Sequence, residues 1–215
     1  MNILFVLAHP DDEAYGPAGT IARLVDEGNN VRLLTLCNGA RPGSEHVMSA
    51  RQLAYKAACN ILGVSASICG SHDMELQYRD ACVVIEDAIA DHAPSVVYTH
   101  HISDINADHR LVAEACLIAC RPKPTSCVHK LIACEGSSST DWTFGQIEPR
   151  FNPNMYVDVS NHIYIKQRAL ELYKTEIYDY PDARSIEATM VRAKFRGMQV
   201  GMEYAEAFQL IMERQ

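Results

Sequence analysis

The sequence predicts an α/β fold: a mostly parallel sheet with helices on both faces, formed as a single domain over residues 1–215. Three observations carry that expectation. Short apolar runs alternate along the chain with longer helical patterns. The first run is continuously apolar, as in a strand buried on both faces. Two of the runs end abruptly in clusters of histidine and acid, where open α/β sheets place their ligands.

Residues 2–7 form the first apolar run, which stops at His9-Pro10. Residues 17–27 read as a helix ended by Gly28-Asn29-Asn30. Val31 to Cys37 is a second strand, and Ser49 to Leu62 a second helix with Gly63 just past its end. A short strand over 66–69 leads into a loop carrying His72-Asp73. Arg79 to His92 reads as a helix and Ser95 to Thr99 as a strand. After Asp108 the spacing of Leu111, Val112, Ala115 and Cys116 is helical, up to Arg121-Pro122. Strands are expected at 128–134 and 155–159, and helices at 162–174 and 185–196. Between them, 136–154 is rich in Ser, Thr, Pro and Gly and reads as a long surface loop.

Composition narrows the function. Hydrophobic residues make up 48% and charged residues 21%, as in ordinary globular proteins. A net charge of −8 offers no electrostatic footprint for phosphate backbones, so nucleic acid is not an expected partner. The start of the chain lacks the basic segment of a signal peptide, and no apolar run reaches the ~18 residues of a membrane span. Cysteines stand at 37, 59, 69, 82, 116, 120, 127 and 134, scattered and without a CxxC pair. They read as reduced thiols packed as small hydrophobes, which places the protein in the cytoplasm with no membrane partner.

The chemistry lies in two loops. Ala8-His9-Pro10-Asp11-Asp12-Glu13 puts four metal-binding or proton-transfer groups directly after the first strand. A solvated turn capping the next helix would use one of the aspartates but would not require His9. Pyrophosphate binding needs a glycine-rich loop, whereas this one has only Gly16 and Gly19, and three carboxylates would repel phosphate. The loop suits a cation. A second cluster, from His100 through Asp104 and Asn106 to Asp108-His109, follows another strand and so lies on the same sheet edge. One histidine and one aspartate from the first loop plus one histidine from the second make the three-ligand set of catalytic zinc.

These blocks resemble the LmbE-like, or PIG-L, family of zinc-dependent N-acetylglucosaminyl deacetylases. Ala8 to Glu13 is similar to that family's signature, and Asp108-His109 sits where its second ligand block lies. Supporting similarity continues through Arg121-Pro122, Ser138-Ser139-Thr140, Tyr180-Pro181, Arg184-Ser185 and 205–208, nearly the whole chain. The resemblance implies a Rossmann-like sheet, zinc held by His9, Asp12 and His109, and Asp11 as general base beside a metal-activated water. It places Arg51 and Asp73 near substrate hydroxyls and gives Glu13 a supporting role. The implied substrate is a small N-acetylated amino sugar or its conjugate, and a homo-oligomer is compatible with the family.

The chain departs from the family pattern in two places. Asn106 replaces a histidine that aids the oxyanion; an amide can donate a hydrogen bond there but carries no proton to transfer. His100 or His101 is then available for recruitment. Ala54 stands where a glutamate often follows the arginine by three. Two alternatives stay open: a zinc amidohydrolase of another small N-acylated substrate, and a non-catalytic metal-binding relative, against which the retained Asp11 argues.

Overall fold

Strand β1 (Asn2–Leu7) shows why the first run is apolar throughout. Successive side chains of a strand face opposite ways. Ile3 and Phe5 accordingly join one core cluster, while Leu4 and Val6 join another on the far side of the sheet. The computed structural model describes residues 1–215, apart from the side chains of residues 45–47.

After β1 come α1 (Asp12–Tyr15), α2 (Ala18–Asp26), β2 (Asn30–Cys37), α3 (Glu45–Leu62), β3 (Ser65–Ser71) and α4 (Tyr78–His92). Then follow β4 (Val96–Thr99), α5 (Ala107–Ala119), β5 (Lys130–Cys134), α6 (Ser137–Asp141) and β6 (Met155–Asp158). The chain finishes with α7 (Ile163–Leu170), α8 (Ile186–Val200) and β7 (Ala205–Glu213). The strands lie in one seven-stranded sheet of order β3-β2-β1-β4-β5-β7-β6. β1 runs parallel to β2 and β4, β2 to β3, and β4 to β5. Only β7 opposes its neighbours, pairing antiparallel with β5 and β6. The predicted mostly parallel α/β sheet is therefore the observed one.

Helices cover both faces. Ile21 of α2, Tyr55 and Leu62 of α3 and Leu170 of α7 pack on the Ile3/Phe5 side. Ile85 of α4 and Val112 and Cys116 of α5 pack on the Leu4/Val6 side. Phe5 stacks on Tyr98 with ring centroids 4.3 Å apart. Each such buried side chain contributes roughly 1.5–3 kcal/mol. All eight cysteines are free thiols, and no helix among the described residues is long and apolar enough to cross a membrane.

The strand order decides where a ligand belongs. The chain leaves β1 toward β2 and β3 on one side and returns to β4 on the other. A crevice therefore opens beyond the carboxyl ends of β1 and β4, the topological switch point of the sheet.

Three departures from expectation bear on the site. Helix α5 begins at Ala107 and so already contains Asp108 and His109, because Asn106 caps it: its Oδ1 accepts from the amides of both. The stretch after β5 is not all surface loop; α6 interrupts it, with Ser137 and Ser138 buried. The helix expected to reach residue 174 ends at Leu170, and the chain then turns so that Tyr173 meets the buried Glu13.

Candidate metal centre and active site

His9 and Asp12 follow β1, and His109 lies in the first turn of α5 after β4. One donor atom from each of the three falls within 4.8 Å of the others. His9 Nδ1 lies 3.2 Å from His109 Nε2, and Asp12 Oδ1 is 3.3 Å from the same nitrogen. The Asp12 Oδ2 atom accepts from the His9 amide at 2.7 Å, which folds the loop back on itself. Two strand ends thus bring together the three residues that the family resemblance implies as ligands.

A second ring of acids orients these groups. Asp108 Oδ2 meets His9 Nε2 at 2.9 Å and accepts from the Met74 amide at 2.8 Å. Asp104, 1% exposed, places Oδ2 3.1 Å from His109 Nδ1 and accepts there from the Ser139 hydroxyl at 2.7 Å. Carboxylates behind ligand histidines fix ring orientation and raise basicity. Neither acid was assigned a role from sequence, although both stand in the second cluster, within five positions of His109.

Electrostatics follow from this packing. Burial alone would lower the His109 pKa, but Asp12 and Asp104 outweigh it and lift it to about 9. Burial likewise opposes protonation of His9, yet Asp108 and Asp12 hold it well above the usual imidazole value. Burial would raise Asp12, but His109 and His100 keep it well below the usual carboxylate range. The facing nitrogens of His9 and His109 can share only one proton, however strongly the acids favour two. A divalent cation satisfies both lone pairs and Asp12 together, so two imidazoles and a carboxylate fit zinc.

Asp11 lies beside this set, 3% exposed and at φ 123°, a backbone setting unusual for a non-glycine residue. Its Oδ2 accepts from Arg51 Nη2 at 3.1 Å and from Arg184 Nη2 at 2.6 Å. Burial pushes its carboxyl pKa up and Asp12 adds to this, while the two guanidinium groups pull the other way. Glu13 supports the loop: its Oε2 accepts from the Asp11 amide at 3.1 Å, and its Oε1 from the Tyr173 hydroxyl. Burial raises the Glu13 pKa to about 8.

Arg51 has a different setting from one of those expected. It is not a solvated helix residue, because its side chain is only 11% exposed and both terminal nitrogens have protein partners, while the residue still lines the cleft. Nη1 donates to Gly39 O and Asp73 Oδ2, and Nη2 to Pro10 O and Asp11 Oδ2. Its Nε lies 3.4 Å from Glu176 Oε1 without hydrogen-bond geometry. Asp73 accepts from Gly39 N at Oδ1 and from Arg51 at Oδ2, and as a carboxylate lining the cleft it keeps further lone pairs. The pair clasps Asp11 in place. Arg184 and Glu176, which received no role from sequence, complete the clasp from the far end of the chain.

Asn106 lines the cleft; Oδ1 is spent on capping α5, and Nδ2 has no protein partner among the described residues. His100 stacks on His109 at 3.8 Å and accepts from the Ala8 amide at 2.9 Å, and burial and His109 lower its pKa. His101 is turned from the cleft, with Nδ1 accepting from Ser103 N and its ring edge-on to Phe151. The whole site opens into a cleft of about 480 Å³, lined also by Ser138, Trp142 and Met74.

A model of the PIG-L family, described as GlcNAc-PI de-N-acetylase, matches residues 4–120, more than half of the chain and both clusters. A protein of Escherichia coli named as an uncharacterized deacetylase, YaiS, is 31% identical over 131 residues, covering 57% of this chain and 70% of that protein. The diacetylchitobiose deacetylase of Thermococcus kodakarensis is 28% identical over 232 positions, covering 98% and 83%. Among solved structures, the N,N'-diacetylchitobiose deacetylase of Pyrococcus horikoshii superposes with a TM-score of 0.79 at 19% identity, again covering 98% and 83%. That likeness reports a shared fold, and the family match reaches the residues of the site itself. The chain belongs to the PIG-L, or LmbE-like, family.

Proposed function

We propose that residues 1–215 form one LmbE-like domain that removes an N-acetyl group from an amino sugar or amino-sugar conjugate, using zinc held by His9, Asp12 and His109. The observation that carries this reading is a buried carboxylate, Asp11, clasped by two arginines beside a three-residue ligand set. Retention of acid–base machinery next to the ligands supports catalysis over mere metal storage. The family description and the printed activities of the relatives support an acetylated amino sugar as substrate. Free cysteines throughout support a reducing, cytoplasmic setting.

Zinc, when bound, supplies a Lewis acid that polarises the acyl carbonyl and lowers the pKa of water toward ~7. The chain's own residues do the rest. Arg51 and Arg184 oppose the rise that burial imposes on the Asp11 pKa, and in its ionised form Asp11 accepts the proton of the attacking water. The water oxygen bonds to the acyl carbon, and Asn106 Nδ2 donates a hydrogen bond to the resulting oxyanion. Asp11 returns its proton to the nitrogen as the C–N bond breaks, releasing acetate and a free amine. Asp104 and Asp108 hold the ligand histidines in register throughout.

Release of acetate from N-acetylglucosamine, nucleotide-linked N-acetyl sugars and acetylated peptides, measured side by side on zinc-loaded protein, tests this. Turnover confined to the sugars is expected. Zinc binding without release of acetate from any of them would remove the catalytic reading.

A further inference from the structure

His9 belongs to a second cluster as well as the first. Donor atoms of His9, Cys37 and Asp73 also fall within 4.8 Å of one another, and all three residues are buried. The sheet explains why. β1, β2 and β3 are consecutive neighbours, and His9, Cys37 and Asp73 stand at or just past their carboxyl ends. The Cys37 amide donates to Ala8 O at 2.8 Å, which sets the thiol beside the start of the His9 loop. Asp73 is brought in by its amide, which donates to Ala40 O at 2.9 Å, and by its Oδ1, which accepts from Gly39 N at 3.1 Å.

The first ligand set lies toward β4 and this one toward β3, with His9 between them. Its Nδ1 faces His109, while its Nε2 meets Asp108, whose Oδ2 also holds the amide next to Asp73. The donor types differ as well. A thiol, an imidazole and a carboxylate make a softer set than two imidazoles and a carboxylate, one suited to zinc and better still to cadmium. His9, Asp73, Gly39 and Ala40 line the cleft, so a cation reaches the pair from solvent although Cys37 itself is 0% exposed.

We propose that His9, Cys37 and Asp73 form a second, inhibitory site for thiophilic divalent cations, sharing His9 with the first site. The proposal rests on the ligand role given to His9 above. Binding exchanges the Cys37 thiol proton, released to solvent, for a sulfur–metal bond. His9 is drawn toward β3, so excess zinc or cadmium competes with the arrangement that the first site requires.

Cadmium titration of zinc-loaded wild-type protein and the Cys37→Ser variant tests this by ultraviolet absorption and by metal stoichiometry. Wild type is expected to bind one more cadmium than the variant, with a thiolate-to-cadmium charge-transfer band that the variant lacks. Inhibition by excess zinc, normalised to each protein's own rate at buffered low zinc, should need about ten-fold more zinc or greater in Cys37→Ser. Equal stoichiometry, equal bands or equal inhibition midpoints would overturn the site. If Cys37→Ser does not fold, cadmium-113 NMR of wild type decides: a resonance with one sulfur donor supports the site, and only nitrogen and oxygen donors refute it. The absorption and NMR readouts need no turnover. A Cys37-dependent band in a protein that deacetylates nothing would refute the proposed function and leave this site standing.

Discussion

Replacing Asp11 with asparagine separates base chemistry from metal binding and backbone geometry. Asparagine keeps the shape of the side chain and tolerates positive φ better than most residues, which matters at φ 123°. Its Oδ1 can still accept from Arg51 and Arg184, whose contacts with Asp73 and Glu176 persist. What disappears is the capacity to take a proton. General-base catalysis is worth about 10²–10⁴-fold, so kcat should fall by that factor, equivalent to ~2.7–5.5 kcal/mol in the barrier. Metal content should stay unchanged, because the proposed ligand donors are His9, Asp12 and His109. Acetate release under zinc-buffered conditions, with metal measured by elemental analysis on the same sample, provides both readouts. A rate within about three-fold of wild type would refute Asp11 as the base, since that loss lies far below the range for a general base. Loss of the metal would show that Asp11 serves the ligand set instead.

Further outcomes follow from the same contacts. Asp104→Asn weakens the support of His109 Nδ1 and should lower zinc affinity by about 10–100-fold in equilibrium competition with a chelator. His9→Ala and His109→Ala should each abolish stoichiometric zinc binding under the same competition. Glu206→Gln removes the partner of Lys166, a pair at 2.7 Å with both side chains at most 6% exposed. It also weakens the acceptor for the Gly19 and Thr20 amides at the start of α2, so unfolding stability should drop by about 3–5 kcal/mol in urea titration. His92, packed with Nε2 against Ile3 O at 3.1 Å, has its pKa lowered by burial. Its neutral form is the folded form, so it adds no penalty above its unfolded value of about 6.5. Below that the unfolded chain gains the proton first and stability declines, levelling off under the folded pKa. Melting curves from pH 7.5 to pH 5 should therefore fall less steeply in His92→Gln than in wild type.

Much of the site was legible before the fold was known, because its residues are local in sequence. His9, Asp11 and Asp12 share one short loop, and a histidine after a buried apolar strand has little structural reason to be there. The second cluster was legible for the same reason, and the alternation of strands and helices placed both on one edge. The short α6 was hidden in a Ser-rich stretch whose composition favours loops, and its burial depends on contacts with Asp104. Arg184 stood in a block of supporting similarity that assigned it no role, and Glu176 had no local signal; they reach Asp11 and Arg51 across more than a hundred residues of chain.

The sequence by itself determined the fold class and the family signature, since periodicity and motif spacing are properties of neighbouring residues, and the family resemblance then implied His9, Asp12 and His109 as candidate ligands. Only the tertiary structure decided what each polar side chain has left to give. The sequence leaves the setting of Arg51 open until the closing of the sheet surrounds it with Gly39 O, Pro10 O, Asp11 and Asp73. Cys37 is one small hydrophobe among eight until strand order sets it beside His9. Hydrogen-bond capacity and ligand geometry are consumed by partners distant in sequence, and those partners are chosen when the strands take their order.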